Sequence, residues 1–433
     1  MNILSQPLPS RRSVLQAGGA VAAASALPRL AFAADHPPLG TWPAGTQGPA
    51  VTIGITVPRT GTYAASGEDE LKGMQLAIEH INTGNPLIKQ ISPKTTKGVL
   101  GKEVKYVVAD SEAKPNTAVQ AQSRFINEDK IILMTGSTSS AVAVALNKLA
   151  QREKVLYVVA ISGSNDTTGK DCVRYSFRQC FYGQTAAAAL GPVLLKKFGK
   201  NKKAAYLTPD YTYGHTVQHS MENYLNKNGG WTTVTNQVAP LGAPDYSSYL
   251  LNVNWGHDAV LSIQQAQQFG IFKKMKLVIP YQTPFLAKEV GPEIMQGVLA
   301  ATDFWWTLED KFPVAKMFVE AFDKKYGYKP EWGANNGYMQ FAMWADACER
   351  AGSFYPPDVI KAYEAGKHIN STVGDVYFRA ADHQLVRPVI IVEGKKPSEM
   401  EHKDDYWEVT DVVPGGPLMQ APDAFGCKLG SYT

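Results

Sequence analysis

Short apolar runs alternate with longer amphipathic stretches along the first half of the chain. Apolar runs of this length are typical of strands buried on both faces, and the stretches between them repeat at helical spacing. Helices are predicted at 67–82, 116–129 and 141–153. The predicted strands are VTIGITV (51–57), EVKYVVAD (103–110), KIILMT (130–135) and VLYVVAI (155–161). This alternation predicts a parallel sheet that is covered by helices on both faces.

The same alternation resumes near residue 180, so we predict a second α/β unit from there. Its strands are predicted as KAAYLT (203–208), KLVIP (276–280), GVLAATDFWW (297–306) and, much later, RPVIIVEG (387–394). Helices are predicted at 185–199, 216–229, 313–327 and 337–352. The polar segment 395–433 contains Pro and Gly and is expected to follow the surface as a C-terminal tail.

The first 33 residues have the pattern of an export signal. Arg11 and Arg12 precede the apolar stretch GGAVAAASAL, and AFA at 31–33 offers small residues to a signal peptidase. The pattern resembles a twin-arginine signal, but two nearby positions depart from it, so the general export pathway stays open. No cysteine follows the apolar stretch, which argues against a lipid anchor. We predict a flexible leader over 34–50 and a free periplasmic protein.

Charge and hydropathy limit the partners of the exported chain. Three of the 43 basic residues lie in the signal, so its removal lowers the formal charge from +4 to +1 against 39 acids. A near-neutral chain gives no reason to expect nucleic acid or anionic lipid as a partner. No apolar run reaches the ~18–20 residues that span a bilayer, so no membrane insertion is expected. We expect a monomer.

Four cysteines follow the predicted signal: Cys172, Cys180, Cys348 and Cys427. An oxidising compartment permits disulfides between them. The segment VRYSFRQ, between the first two, alternates like a strand and would place their Cα atoms ~26 Å apart, whereas a disulfide needs about 7 Å or less. We therefore predict that Cys172 and Cys180 are not joined, and leave the pairing of the four open.

Four loops that follow predicted strands are rich in glycine, hydroxyl or tyrosine residues: PRTGTYAASG, GSTSS, ISGSND and PDYTYGH. Ligands of open parallel sheets bind beyond the carboxyl ends of the strands. None of the loops has the spacing of a phosphate loop, a dinucleotide fingerprint or a nucleophile elbow. His215 and His219 have the spacing of a metal pair, but a solvated helix face is the simpler interpretation. We predict no catalytic residue, cofactor or metal.

Three stretches resemble the periplasmic binding proteins for leucine, isoleucine and valine. They are IGITVPRTGTYAASGEDELKGMQLAIEHIN, GSTSSAVAVALNKLAQREKVLYVVAISGSND and PDYTYGHT. The resemblance implies a two-lobed type I α/β fold, in which each lobe has a parallel-type sheet flanked by helices and three strands form the hinge. It implies a first lobe at 51–178 and 307–385, and a second lobe at 179–306 and 386–394, before the tail at 395–433.

The resemblance also implies how a ligand would be held. Ser140 would grip a carboxylate, since unpaired N–H groups and the dipole at a helix start favour an anion. Ser139 belongs to the same turn, and helix capping is the alternative role for both serines. Ser162, through its carbonyl, and Ser164 would hold the ammonium and carboxylate of an amino acid. Tyr213 would close over the ligand from the second lobe.

The sequence departs from the family pattern in two places. The stretch before Trp255 is about ten residues shorter than in the family, which leaves open whether the second lobe lacks a strand there. Gln282 stands near the acid that pairs with the ligand ammonium in the family, and a neutral amide cannot form that ion pair. This favours a ligand with an amide or a carboxylate alone. Tyr63 and Trp255 add stacking surfaces that suit an aromatic or apolar body.

We therefore expect an exported solute-binding protein. It would capture a small polar ligand (an amino acid, an aromatic or other carboxylate, or an amide) by hinge closure and deliver it to the permease of an ABC importer. The alternative is a module that senses an amide-type compound for a receptor or regulator. Genes for a permease and an ATPase beside this one would favour import.

Overall fold

The computed structural model describes residues 36–243 and 251–433 of the chain. The export signal predicted at 1–33 therefore lies outside the described residues. None of the helices in the described ranges is long and apolar enough to cross a membrane.

The first lobe begins with alternating strands and helices. Its strands are β1 (Ala50–Val57), β2 (Glu103–Asp110), β3 (Leu133–Gly136), β4 (Leu156–Val159) and β5 (Ser176–Arg178). The helices between them are α1 (Ala64–Thr83), α2 (Pro86–Ile91), α3 (Pro115–Arg124) and α4 (Ser140–Glu153). The strands pair in parallel in the order β2-β1-β3-β4-β5. Strands β3 and β4 are buried throughout, which explains their continuous apolar runs.

The second lobe follows with shorter strands. Its helices are α5 (Gly183–Phe198), α6 (Thr212–Gly229), α7 (His257–Gln268), α8 (Leu286–Val290) and α9 (Pro292–Met295). Its strands are β6 (Lys203–Pro209), β7 (Thr232–Ala239), β8 (Leu251–Asn252), β9 (Val278–Ile279) and β10 (Leu299–Thr302). These strands pair in parallel in the order β10-β9-β8-β6-β7.

The rest of the chain returns to both lobes. Its elements are α10 (Pro313–Tyr326), α11 (Trp332–Ala351), α12 (Pro356–Glu364), β11 (Ile369–Ser371), β12 (Gly374–Phe378), β13 (Leu385–Val386), β14 (Val389–Gly394) and β15 (Trp407–Val413). Strands β11, β12 and β13 form a small antiparallel sheet. Strand β14 joins β10 in antiparallel pairing and thereby extends the sheet of the second lobe.

Helix α11 lies directly against α1, because glycines remove the side chains from their contact. A Cβ atom on Gly73 would lie 1.9 Å from the carbonyl oxygen of Ala334, and one on Gly337 would lie 2.2 Å from that of Glu70. Neither position therefore accepts a side chain without moving a helix. This close approach brings the start of α11 to the first turns of α1, where the Ala334 backbone N–H donates to Asp69 Oδ2 over 2.6 Å.

The predicted fold class is confirmed: each of two sheets is mainly or wholly parallel and is flanked by helices. The lobe boundaries at 178/179, 306/307 and 385/386 stay predictions. A strand is present before Trp255, which the sequence left open: β8 has two residues and pairs with β6 and β9.

Both ends of the described chain are more ordered than the sequence predicts. Within the predicted flexible leader, the Thr41 hydroxyl donates to the Ile131 carbonyl oxygen over 2.6 Å, and the Trp42 ring lies 5.6 Å from that of Tyr355. The tail does more than follow the surface, since β15 pairs antiparallel with β14 as the edge strand of the second sheet. Only Trp407 of this strand is buried, and the other side chains are exposed or half-buried, which suits an edge strand.

The cysteines include one disulfide, between Cys172 and Cys427, with Cα atoms 5.5 Å apart. Cys180 and Cys348 are free and buried. The prediction that Cys172 and Cys180 are not joined is confirmed. The bond ties the C-terminal tail to the loop before β5, where Tyr175 also donates from its hydroxyl to the Tyr432 carbonyl oxygen over 2.9 Å.

Candidate ligand-binding site

Loops that follow parallel strands of the two lobes contact one another across a cleft. The hydroxyls of Tyr63 and Tyr211 are 2.8 Å apart. Closer to α4, the hydroxyls of Ser164 and Thr212 are 2.7 Å apart. In each pair the first residue belongs to the first lobe and the second follows β6. The lobes are therefore closed on each other, and the side chains between them are buried.

The GSTSS turn presents hydroxyl groups at the start of α4. Ser139 occupies the N-cap position, but its side chain makes no capping hydrogen bond, and its buried Oγ has no hydrogen-bond partner in the described ranges. Ser140 Oγ accepts hydrogen bonds from the Ser164 backbone N–H (3.2 Å) and the Ser162 hydroxyl (3.0 Å). Because Ser140 Oγ accepts both bonds, its own proton remains available to donate.

The next loop is held from behind by a guanidinium group. Arg178 Nη1 donates to the carbonyl oxygens of Ser162, over 3.0 Å, and Ser164. The Ser162 carbonyl, expected from the resemblance to accept from a ligand ammonium, is thus already bonded to a cation. The Ser162 hydroxyl also lies 3.0 Å from that of Thr167, so its hydrogen-bonding capacity is largely used within the first lobe.

Aromatic rings from both lobes form a continuous wall. The Tyr63 ring is 5.1 Å from that of Trp255, which is 5.9 Å from Trp332. Trp332 is 5.4 Å from Tyr281, which is 6.0 Å from Tyr213. All five side chains are buried. Such a wall can enclose a flat apolar group by edge and face contacts.

Gly163 permits the tyrosines to reach the serine loop. A Cβ atom at this position would lie 2.8 Å from the Tyr281 ring and 3.1 Å from the Tyr213 ring. The Tyr213 hydroxyl is buried and has no hydrogen-bond partner among the described residues. Burial raises the pKa of Tyr213 well above its ordinary value, so the hydroxyl stays protonated and able to donate.

Gln282 joins the second lobe to Trp332 through its main chain. The Trp332 indole N–H donates to the Gln282 carbonyl oxygen over 3.0 Å, and the Thr302 hydroxyl donates to Gln282 Oε1 over 3.3 Å. Its buried Nε2 finds no acceptor with normal hydrogen-bond geometry in the described part of the chain. The amide nevertheless lies beside the Glu331 carboxyl and lowers its pKa through a hydrogen bond, so a ligand would share this donor with Glu331.

Three carboxyl groups are buried where α1 meets the GSTSS turn and the start of α11. Burial raises the pKa of Asp69 to about 7, and the pKa values of Glu70 and Glu331 to about 8. Glu70 Oε2 accepts from the Thr138 hydroxyl over 2.8 Å, whereas Oε1 has no partner in the described ranges. At neutral pH these pKa values favour the uncharged forms of Glu70 and Glu331, whereas Asp69 is about half ionised.

A family model for periplasmic binding proteins matches residues 50–399. The chain belongs to the periplasmic binding protein family. This is a family of solute-binding proteins rather than enzymes, and the two-lobed fold and the cleft agree with it.

Relatives and solved structures of this family resemble the chain over most of its length. A Leu/Ile/Val-binding protein homolog of Brucella abortus is 26% identical over 338 residues, which cover 73% of this chain and 81% of that protein. A periplasmic binding protein of Burkholderia mallei superposes with a TM-score of 0.78 at 23% identity, over 88% of this chain and all of the other. An ABC-transporter solute-binding protein of R. palustris in complex with benzoate gives 0.72 at 20% identity, over 88% and 100%. These two structures are similar in fold.

The sequence-predicted residues of this binding protein converge on the cleft. Hydrogen bonds connect Ser140, Ser162 and Ser164, and Ser139 precedes them in the same turn. Tyr213 approaches the loop through Gly163. Trp255 lies beside the Trp332 ring, Gln282 accepts from the Trp332 indole N–H, and Tyr63 joins this group through Trp255.

Sequence reasoning missed several residues of the binding protein's cleft. Trp332 and Glu331 follow Pro330 at the start of a helix far along the chain, and only their aromatic and acidic character could have drawn attention to them. Arg178 offered a clearer signal, because a charged residue in a buried strand is rare. Glu70 could not be distinguished from a solvated helix residue without the contact between α1 and α11.

Proposed function

We propose that this protein is an exported solute-binding protein that captures a small carboxylate, preferably one with an aromatic or apolar body, and delivers it to an ABC importer. The observation that carries the proposal is a pair of unused hydroxyls in the cleft. Ser139 Oγ of the first lobe and the Tyr213 hydroxyl of the second are buried without a hydrogen-bond partner among the described residues. A buried hydroxyl without a hydrogen bond lowers the stability of the folded protein by about 1–3 kcal/mol, and a ligand that bonds to it removes this penalty.

A carboxylate is the chemical group that suits these atoms best. Hydroxyl protons at Ser139, Ser140 and Tyr213 and the amide N–H of Gln282 are donors, and an ionised carboxylate is an acceptor with two oxygens. Hydrogen bonds to an ionised acceptor are stronger than those between two neutral groups. One bound carboxylate would therefore satisfy donors on both lobes and hold the cleft closed.

An α-amino acid is supported less well. Its ammonium would need a negative partner, but Gln282 is neutral and the pKa of Glu70 is raised to about 8 by burial. The Ser162 carbonyl, a further candidate acceptor, is bonded to Arg178. Glu70 Oε1 and Glu331 Oε2 are buried carboxyl oxygens without a hydrogen-bond partner among the described residues, and they favour an amino acid, but ligand binding would have to ionise one of them.

The aromatic wall supports a flat apolar body on the carboxylate. Rings from Tyr63, Trp255, Trp332 and Tyr281 offer edges and faces within one buried layer. The R. palustris structural neighbour holds benzoate, an aromatic carboxylate without an ammonium group. We therefore take benzoate as the first probe.

Calorimetric titration of the purified protein tests the ligand class. The panel is benzoate, its uncharged analogue benzamide, phenylalanine and leucine. We expect binding of benzoate or a substituted benzoate, with benzamide at least about tenfold weaker because it lacks the charge-assisted bonds. Binding of the two amino acids without binding of any simple carboxylate would overturn the proposal and implicate Glu70 as the ammonium partner.

Uptake distinguishes delivery to an importer from sensing. A strain that lacks this gene should lose high-affinity uptake of the radiolabelled ligand, and the Tyr213→Phe variant should restore it only in part. Unchanged uptake, together with a lost transcriptional response to the ligand, would replace the import role with the sensing alternative.

A further inference from the structure

Arg178 is a buried cation without an acidic partner. Its side chain is fully buried, and among the described residues no carboxylate oxygen lies within 4 Å of its guanidinium nitrogens. The group is bonded only to neutral atoms. Nε donates to Gln384 Oε1 over 2.6 Å, and Nη2 donates to the Thr168 hydroxyl over 2.6 Å. The Tyr182 ring lies 4.5 Å from the guanidinium carbon.

Arg387 is also buried, but it has an acidic partner. Arg387 Nη1 lies 2.9 Å from Asp303 Oδ1, so its charge is balanced inside the protein. Asp382 is an acid whose charge acts on Arg178, and it is paired with Arg379. Burial of an unpaired charge is costly, which suggests that the charge of Arg178 has a use.

The guanidinium lies directly behind the predicted carboxylate subsite. Its Nη1 bonds to the carbonyl oxygens of Ser162 and Ser164. On the other side of the same segment, the Ser162 hydroxyl and the Ser164 backbone N–H both donate to Ser140 Oγ. Two successive hydrogen bonds thus separate the cation from the hydroxyl that is expected to meet the ligand.

We infer that Arg178 is a specificity-determining residue, whose charge selects anionic over neutral ligands without touching them. This inference rests on the proposed function and deepens it. A positive charge in a protein interior acts over several ångströms, because little water screens it. A ligand carboxylate in front of the Ser162–Ser164 segment would gain from this field, and a neutral amide of the same shape would not.

A purely structural role for Arg178 makes a different prediction. As a brace for the loop carbonyls, it would position donors equally for charged and uncharged ligands. Loss of the brace would then weaken benzoate and benzamide by the same factor. The ratio of the benzoate affinity to the benzamide affinity therefore distinguishes an electrostatic role of Arg178 from a purely structural one.

The experiment measures this ratio by calorimetry for four proteins: the native chain, Arg178→Gln, Arg178→Lys and Thr168→Val. We expect the benzoate-to-benzamide preference to fall at least about tenfold in Arg178→Gln. It should be largely retained in Arg178→Lys, which keeps the charge. Thr168→Val is the matched control, since it removes one acceptor of the guanidinium while the charge remains, and its ratio should match that of the native chain.

A further variant keeps the test valid if Arg178→Gln does not fold. Gln384→Glu places a carboxylate beside Arg178 Nε, at the cost of the Nε2 hydrogen bonds to the Cys180 and Leu385 carbonyl oxygens, and should also reduce the preference by neutralising the cation. An unchanged ratio in Arg178→Gln or Gln384→Glu, with absolute affinities lowered equally, would overturn the inference while leaving the proposed function in place. Failure of the native chain to bind any carboxylate would overturn both.

Discussion

Removal of the Tyr213 hydroxyl should raise or preserve stability and weaken binding. Tyr213→Phe keeps the ring in the aromatic wall and deletes only a buried oxygen that has no partner among the described residues. An unsatisfied buried hydroxyl costs about 1–3 kcal/mol, so the free energy of unfolding should stay constant or rise by about 1 kcal/mol. A hydrogen bond to an ionised ligand contributes about 1.5–3 kcal/mol, so affinity for a bound carboxylate should fall about ten- to a hundredfold.

Tyr281→Phe is the matched control, because it makes the same change on a neighbouring ring. The Tyr281 hydroxyl is already used: it donates to Asp303 Oδ2 over 2.8 Å. Its removal should lower the free energy of unfolding by about 1–3 kcal/mol and change affinity less than Tyr213→Phe does. Urea unfolding and calorimetric titration give both quantities. A Tyr213→Phe protein that is destabilised like the control, with unchanged affinity, would refute the reasoning.

The structure also predicts whether stability or affinity rises or falls in three further perturbations. Cys427→Ser should lower the free energy of unfolding by up to about 5 kcal/mol, because the bond to Cys172 spans 255 residues; urea midpoints that do not move, with and without reductant, would contradict this. Burial raises the pKa values of Glu70 and Glu331 from 4.5 to about 8, so each carboxyl holds a proton in the folded state that it loses in the unfolded state, and stability should decrease as pH rises from about 4.5 to about 8. Melting curves should show this slope in the native chain and a shallower one in Glu70→Gln. Gln282→Glu should weaken carboxylate binding by repulsion, and calorimetry that shows equal or tighter binding would count against the proposed donor role.

The sheets and the serine loops can be predicted from the sequence, because each is indicated by the residues of one short segment. Runs such as 130–135 and 155–161 are apolar throughout since parallel strands are buried on both faces. Ser140 and Ser164 follow two such strands. Because the carboxyl ends of parallel strands lie at the same edge of a sheet, the two serines are expected to lie close together. Their hydrogen bond in the structure agrees with that expectation.

The features that sequence reasoning missed depend on contacts between distant segments. Strand β15 has acids on its exposed side, and only its pairing with β14 shows that it completes a sheet. The partner of Cys172 lies 255 residues away, beyond any local pattern. Trp332 reaches the cleft only because Gly73 lets α11 lie against α1. Such positions are determined by packing, which a single sequence does not display.

A crystal structure of the protein with its tightest-binding carboxylate tests the central claim most directly. We expect a closed cleft in which the carboxylate oxygens lie within about 3.2 Å of Ser139 Oγ or Ser140 Oγ on one side and of the Tyr213 hydroxyl on the other. We also expect the ligand body to lie against the rings of Trp255 and Trp332. A ligand bound outside this cleft, or one whose carboxylate contacts none of these hydroxyls, would contradict the account.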